Sequence, residues 1–215
     1  MNEIRKIYLI RHCEPQLPEG IPICIGKKDI PLSDFGRKQA LDLKEFFSKI
    51  NISSIYSSPL IRSKETAIII ANEKRNVIVK KDFSEFNIGK WDGMSFGEIK
   101  EKYPQEYKDR GENLEHYIVE GGESMAMCRD RALTELMDTI KESIGDIIIA
   151  AHAGVNRAIL SSILGISIRD SFKYRHEYGS INLLLFDGEN LKVDKIGTKL
   201  HELIDEAKEA EGQNA

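Results

Sequence analysis

Two short apolar runs, at residues 4–10 and 147–151, constrain the fold of this chain more than any other feature. Both runs are nearly continuous instead of alternating between apolar and polar side chains. Such runs are typical of strands whose two faces are covered by helices in a parallel sheet. A third strand is predicted at 52–56, and helical patterns separate the three. The sequence therefore predicts an α/β fold, a three-layer α/β/α sandwich around a mostly parallel sheet.

Capping residues and turn signals predict the remaining elements. Ser33 can cap a helix that runs to about residue 49. The other predicted elements are a strand at 76–80, a long helix at 123–144, an edge hairpin with strands at 180–186 and 191–196, and a C-terminal helix and polar tail over 199–215. We interpret the C-terminal helix as docked on the domain and its last residues as frayed, with a dimer contact as the alternative. The chain is accordingly expected to be a monomer or a homodimer.

Charged side chains follow the predicted strands at the point where each strand ends. Arg11 and His12 come after the first run, and His152 comes after the run at 147–151. Ligand sites in parallel sheets lie at the carboxyl ends of the strands, so these side chains are expected to lie close together. Gly154 opens a predicted helix whose free N–H groups favour an anion, which we interpret as phosphate. Arg62 is expected near the start of another helix at the same edge.

Five ordered blocks of residues carry a resemblance to a known family. They lie at 11–40, 57–67, 85–93, 121–124 and 152–157, and together they span nearly the whole chain. The first contains Arg-His-Cys-Glu, similar to the family signature Arg-His-Gly-Glu, and the last reads His-Ala-Gly-Val-Asn-Arg. The sequence resembles the histidine phosphatase superfamily, also called phosphoglycerate mutase-like. The resemblance implies one catalytic domain over residues 1–198 with a specificity insertion at about 83–120.

The family mechanism carries over residue by residue. The resemblance implies that His12 is the nucleophile and forms a phosphohistidine, which divides one displacement into two easier ones. Arg11 and Arg62 would clamp the phosphate oxygens, because guanidinium presents a planar fork of donors. His152, protonated beside the phosphate dianion, would add a further donor, and Ala153 would complete the substrate-binding set. Positioned charge is the main requirement of phosphoryl transfer, so neither a metal nor another cofactor is expected.

Glu85 is the predicted general acid, which protonates the leaving oxygen and then activates water. We rank it above Glu123 and Glu14 because its surroundings at 85–93 are similar to the acid-bearing block of the family. A proton donor must be held partly neutral. A phosphate dianion and burial favour the neutral carboxyl group, whereas the cationic clamp opposes it. A mildly acidic optimum is therefore expected.

Cys13 departs from the family pattern, which has glycine after the nucleophile. A side chain there could crowd the phosphate, since glycine alone reaches positive φ freely. We favour a small buried residue over an oxidisable or catalytic thiol. Gln16 is not assigned as a ligand, because residues 15–18 also depart from the family. Arg157 could reach a distal charge of the substrate, but a solvated helix charge is the favoured interpretation. The remaining cysteines and histidines are interpreted as inert, surface or packing residues, namely Cys24, Cys128, His116, His176 and His201.

The predicted function is a metal-independent phosphomonoesterase that acts on a small phosphorylated metabolite. A mutase must shield its phosphohistidine from water, and the insertion at 83–120 is shorter than the lid that the resemblance associates with mutases. The insertion is similar to those of α-ribazole phosphatases and broad-specificity phosphatases, so α-ribazole phosphate is a named candidate. A cofactor-dependent phosphoglycerate mutase is the alternative. A non-catalytic phospho-ligand binding protein is the alternative from another class, although it would need neither His12 nor Glu85.

Composition excludes several other classes. A net charge of −4 argues against a general binder of nucleic acid or anionic membranes. Three cysteines and five scattered histidines form neither a disulfide framework nor a zinc pattern. Residues 11–15 lack the glycine-rich turn of a dinucleotide-binding oxidoreductase. The sequence has no signal-like start and no apolar run of membrane-spanning length, so a cytoplasmic location is expected.

Overall fold

The computed structural model describes residues 4–18 and 22–212 and contains one six-stranded mixed sheet. Its strands are β1 (Arg5–Arg11), β2 (Ile52–Ser57), β3 (Val77–Val79), β4 (Asp146–Ala151), β5 (Ile181–Phe186) and β6 (Leu191–Thr198). The spatial order is β3-β2-β4-β1-β5-β6. The four strands β1 to β4 are parallel, whereas β5 is antiparallel to β1 and β6 is antiparallel to β5. The mostly parallel sheet and the hairpin are thereby confirmed.

Helices cover both faces of the sheet. They are α1 (Asp34–Phe47), α2 (Ile61–Ala71), α3 (Phe96–Lys102), α4 (Pro104–Glu112), α5 (Met125–Glu142), α6 (Ala153–Leu164), α7 (Ile168–Ser171) and α8 (Leu200–Gly212), with short 3-10 helices at Lys81–Phe83 and Gly89–Trp91. Successive strand residues face opposite sides. Ile7 and Leu9 pack in a core with residues of α5 and α6, whereas Tyr8 and Ile10 pack in a second core with residues of α1 and α2. Burial on both faces explains the nearly continuous apolar runs.

The predicted helix starts depend on hydroxyl caps that the structure contains. The Ser33 side chain accepts a hydrogen bond from the Gly36 N–H group and begins α1. The Ser124 side chain accepts one from Met127 and begins α5, so that helix starts two residues later than predicted. The predicted C-terminal helix is α8, and the last part of the predicted tail, 213–215, lies outside the described residues.

The segment at 83–120, predicted to be an insertion, has a small apolar core of its own. Trp91, Ile99 and Val119 are each at most 3% exposed and form that core. The segment contains α3 and α4 and follows β3, so it lies next to the carboxyl edge of the sheet. None of the helices in the described ranges is both long enough and apolar enough to cross a membrane.

Candidate active site

The predicted charged residues meet at the carboxyl edge of the parallel strands. Arg11 ends β1, and His12 follows it with its N–H group bonded to the carbonyl of Ala151 at the end of β4 (2.9 Å). Because β5 is antiparallel, the residues that precede it lie at this edge too. A cavity of about 90 Å³ opens there, lined by Arg11, His12, Pro15, Ile23, Ile25, Arg62, Glu85 and Tyr178. The site combines polar residues of four chain segments with a few apolar side chains.

His12 lines this cavity, and one of its two ring nitrogens carries no proton. Its Nδ1 lies 2.7 Å from the Cys13 carbonyl oxygen, which can only accept, so Nδ1 carries the proton. The Arg62 Nε–H group donates to Nε2 at 3.2 Å. Burial, and then the charges of Arg62 and Arg11, lower the pKa of His12 well below 6.5. The ring is therefore neutral, with its unprotonated nitrogen, Nε2, beside Arg62.

Arg62 is almost fully buried and is held by the loop that precedes α1. Its two terminal nitrogens donate to the carbonyl oxygens of Lys28 (2.8 Å) and Gly26 (2.9 Å). Asp92 holds the same loop, because its carboxylate accepts the N–H groups of Gly26 (2.9 Å) and Lys28 (2.8 Å). This support fixes the guanidinium beside the His12 ring before any substrate binds.

Arg11 is oriented by a residue that the sequence analysis missed. Its guanidinium carbon lies 3.7 Å from the centre of the Tyr178 ring, and one terminal nitrogen donates to the His176 carbonyl oxygen. The Tyr178 ring also lies 5.5 Å from the His12 ring. Tyr178 thus covers both the predicted nucleophile and one half of the predicted clamp. Its only sequence signal is its place just before the strand at 181–186.

His152 lies next to His12 and is fully buried. Its ring centre is 5.0 Å from that of His12, and its Nε2 lies 2.7 Å from the Ser58 hydroxyl oxygen. Burial, followed by the charges of Arg62 and His12, lowers the pKa of His152 well below 6.5. The protein's own charges thus favour a neutral ring, whereas the sequence prediction is a protonated one. Such a ring can still donate one hydrogen bond.

Glu85 occupies the N-terminus of α6, to which the sequence analysis assigned phosphate. Its Oε1 accepts the N–H groups of Phe86 (2.8 Å) and Val155 (3.2 Å), and its Oε2 accepts that of Gly154 (3.1 Å). The helix has no side-chain cap from its own N-cap residue, so Glu85 takes that role. The prediction of phosphate at these N–H groups is therefore wrong for Gly154 and Val155. Ala153, predicted to bind substrate, is the first residue of this helix.

The two rival carboxylates serve other purposes. Glu123 is bound by the Arg131 guanidinium (2.7 Å) and by the Asn87 N–H group (2.8 Å). Burial raises the pKa of Glu123, but these hydrogen bonds outweigh it and the pKa is lowered. Glu14 accepts a hydrogen bond from the Ser33 hydroxyl group at the start of α1 (2.9 Å). Of the three candidates only Glu85 lines the cavity.

Cys13 is a packed core residue with an inactive thiol. It is fully buried, its φ is not in the left-handed region, and its N–H group donates to the Thr66 hydroxyl (3.1 Å). The position therefore does not require glycine in this chain. Burial raises the pKa of Cys13 to about 12, that of Cys24 to about 11 and that of Cys128 to about 12. Protonated thiols are poor nucleophiles, which agrees with the inert interpretation.

This chain is similar to known phosphatases in sequence and in fold. The family model described as histidine phosphatase superfamily (branch 1) matches residues 7–199. Phosphoserine phosphatase 1 of Hydrogenobacter thermophilus is 29% identical over 198 residues, which cover 91% of this chain and 93% of that protein. Metal-independent phosphoserine phosphatase of Arabidopsis thaliana is 33% identical over 165 residues, 74% of this chain and 68% of that protein. The solved structure of α-ribazole phosphatase from Shigella flexneri superposes with a TM-score of 0.80 at 19% identity, over 90% of this chain and 96% of that one. At that identity the likeness shows the fold alone.

Proposed function

The chain belongs to the histidine phosphatase superfamily, and on that premise we propose that it is a metal-independent phosphomonoesterase that works through a phosphohistidine on His12. One observation carries the proposal. The neutral Nε2 of His12 faces the Nε–H group of Arg62 at 3.2 Å, in the cavity that Glu85 also lines. Nucleophile, phosphate clamp and proton donor thus share one small space. The metal-independent relative supports chemistry in which arginines supply the positive charge.

The first step transfers the phosphoryl group to His12. A bond forms between phosphorus and Nε2, the ester P–O bond breaks, and Glu85 in its acid form gives its proton to the leaving oxygen. Arg11 and Arg62 stabilise the charge on the non-bridging oxygens. The ring becomes cationic as Nε2 is phosphorylated, and the Cys13 carbonyl oxygen, 2.7 Å from Nδ1, stabilises that charge.

The second step returns the enzyme to its starting state. Water attacks phosphorus, its proton passes to the Glu85 carboxylate, and the P–N bond breaks to release inorganic phosphate and the Nε2 lone pair. The same carboxyl group is acid first and base second.

A small phosphomonoester is the proposed substrate, and phosphoserine is the leading candidate. Phosphoserine phosphatases are among the curated relatives that match most of the chain, whereas the α-ribazole phosphatase likeness concerns the fold. The cavity of about 90 Å³ holds little more than a phosphate group, so the leaving group lies outside it. The insertion carries helices of only seven and nine residues, which favours hydrolysis over the shielding that a mutase needs.

The test is phosphate release in excess EDTA from phosphoserine, α-ribazole phosphate, 3-phosphoglycerate, sugar phosphates and an aryl phosphate. Wild type is expected to release phosphate and to form an acid-labile, alkali-stable phosphoryl adduct. His12→Ala is expected to abolish both, whereas His116→Ala, a matched change at an exposed histidine, preserves both. Isomerisation of phosphoglycerate faster than phosphate release would favour the mutase. Binding without turnover of any ester would favour the binding protein.

A further inference from the structure

A group of buried nitrogen atoms beside Arg11 has no hydrogen-bond partner within the described part of the chain. The atoms are Nε of Arg11, Nε and Nη1 of Arg157, and Nδ1 of His176. His176 is only 5% exposed. Buried polar groups are nearly always paired, and unpaired charged ones are costly, so this arrangement indicates a missing anionic partner.

We propose that Arg157 and His176 form a second anion subsite, next to the phosphate clamp, which binds a carboxylate on the leaving group of the substrate. This inference rests on the proposed phosphatase activity, and it adds that the leaving group of the substrate carries a carboxylate. It also replaces the sequence interpretation of Arg157 as a solvated helix charge.

Two arginine–aromatic stacks hold this subsite in place. Phe172 lies 4.8 Å from the Arg157 guanidinium carbon, and Tyr178 lies 3.7 Å from that of Arg11. Both aromatic residues belong to the segment at 172–178, whose residue His176 also accepts a hydrogen bond from Arg11. One chain segment thus fixes two guanidinium groups side by side. Arg11 lines the phosphate cavity, whereas Arg157 does not, so the second guanidinium lies outside that cavity but close enough to Arg11 for their charges to interact.

The positive charges of Arg11 and Arg157 favour the binding of an anion between them. Burial, and then the charge of Arg11, lowers the pKa of Arg157, while burial and the charges of Arg157 and Arg11 lower the pKa of His176 to about 3. The two guanidinium groups therefore repel each other in a buried setting. Neither forms an ion pair with a carboxylate of the described residues, and the nearby Glu85 is already bound by the N-terminus of α6. An anion from outside would relieve this repulsion.

A carboxylate suits these donors better than a neutral group. The planar fork of guanidinium matches the two oxygens of a carboxylate, and a buried arginine left unpaired discriminates against substrates that lack the anion. Esters of hydroxy acids and hydroxy amino acids place a carboxylate a few bonds from the ester oxygen. They are the predicted substrate class.

The experiment compares esters that differ only near the carboxylate. The pairs are phosphoserine with phosphoethanolamine, and 3-phosphoglycerate with glycerol 3-phosphate, and an aryl phosphate reports the basic chemistry. Wild type is expected to favour the carboxylate ester at least tenfold in kcat/KM in one pair or both. Arg157→Met keeps the apolar stem against Phe172 and is expected to remove that preference, while turnover of the aryl phosphate changes less than threefold. Lys173→Met, at an exposed lysine of the same segment, is expected to change neither.

Two separate failures are distinguishable. No turnover of the aryl phosphate by wild type refutes the proposed function. Turnover without a carboxylate preference in either pair, or a preference that Arg157→Met retains, refutes the subsite alone. His176→Asn is the second variant, expected to reduce the preference in the same direction, and it keeps the proposal testable where Arg157→Met does not fold.

Discussion

Gly154 lies against the carboxylate of Glu85, the proposed general acid. A Cβ atom added there would lie 2.5 Å from Oε1 of Glu85 and 3.2 Å from Cβ of Phe86. Ordinary non-bonded contacts are near 3.5 Å, so in Gly154→Ala the carboxylate has to retreat by about 1 Å. The hydrogen bonds from Gly154 (3.1 Å) and Val155 (3.2 Å) are already long, and that movement breaks them.

The structure predicts a large kinetic effect and a small effect on stability. Loss of a helix cap costs about 1 kcal/mol. Alanine in place of glycine stabilises a helix by up to about 1 kcal/mol. The two effects nearly cancel, so the free energy of unfolding changes little. A displacement of about 1 Å in a catalytic group costs roughly 100-fold in rate, and general acid catalysis is worth roughly 10²–10⁴-fold. We therefore expect kcat/KM for an alkyl phosphate to fall about 100-fold.

The choice of ester isolates the role of the acid. An alkoxide must be protonated as it leaves, whereas nitrophenolate leaves without help. Since kcat/KM covers only the steps up to departure of the leaving group, the later role of Glu85 as base does not enter it. Gly154→Ala is expected to lower kcat/KM for phosphoserine about 100-fold and that for nitrophenyl phosphate less than threefold. Gly111→Ala is the control, because its added Cβ meets no atom within 4 Å. Equal losses with both esters, or no loss with either, would refute the reasoning.

Three further outcomes are expected. Ser58→Ala removes the partner of His152 Nε2, and kcat/KM should fall about fivefold with an unchanged circular dichroism spectrum, because the lost hydrogen bond is worth about 1 kcal/mol. Tyr178→Leu removes the stack on Arg11, worth about 0.5–2 kcal/mol, and should weaken competitive inhibition by inorganic phosphate 2- to 30-fold, whereas Tyr178→Phe should not. His176, with its pKa lowered to about 3, stays neutral in the folded protein while the unfolded chain takes up a proton below about pH 6.5. The free energy of unfolding should therefore fall by about 1–2 kcal/mol between pH 7.5 and 5, and urea titrations of His176→Phe should show a smaller fall.

The residues that sequence reasoning placed correctly share one property. Arg11, His12 and Arg62 each follow or adjoin the carboxyl end of a parallel strand, and parallel strand ends necessarily meet at one edge of a sheet. Tyr178 precedes a strand, and it reaches the same edge only because β5 runs antiparallel to β1. Strand direction depends on pairing with a segment more than 170 residues away. The local sequence around Tyr178 does not indicate that pairing, so sequence reasoning does not predict that Tyr178 covers Arg11.

The anion at the N-terminus of α6 is also decided by a tertiary contact that the local sequence does not indicate. Free N–H groups at Gly154 and Val155 do attract an anion, as the sequence predicts, but the anion is a carboxylate of the protein. Which anion binds is decided by tertiary placement, since Glu85 lies 69 residues from Gly154 along the chain. With these donors occupied, the guanidinium groups of Arg11 and Arg62 are left as the proposed phosphate ligands. In the proposed mechanism the helix fixes the acid, Glu85, and a side chain at the residue after Ala153 would displace it, which favours glycine there.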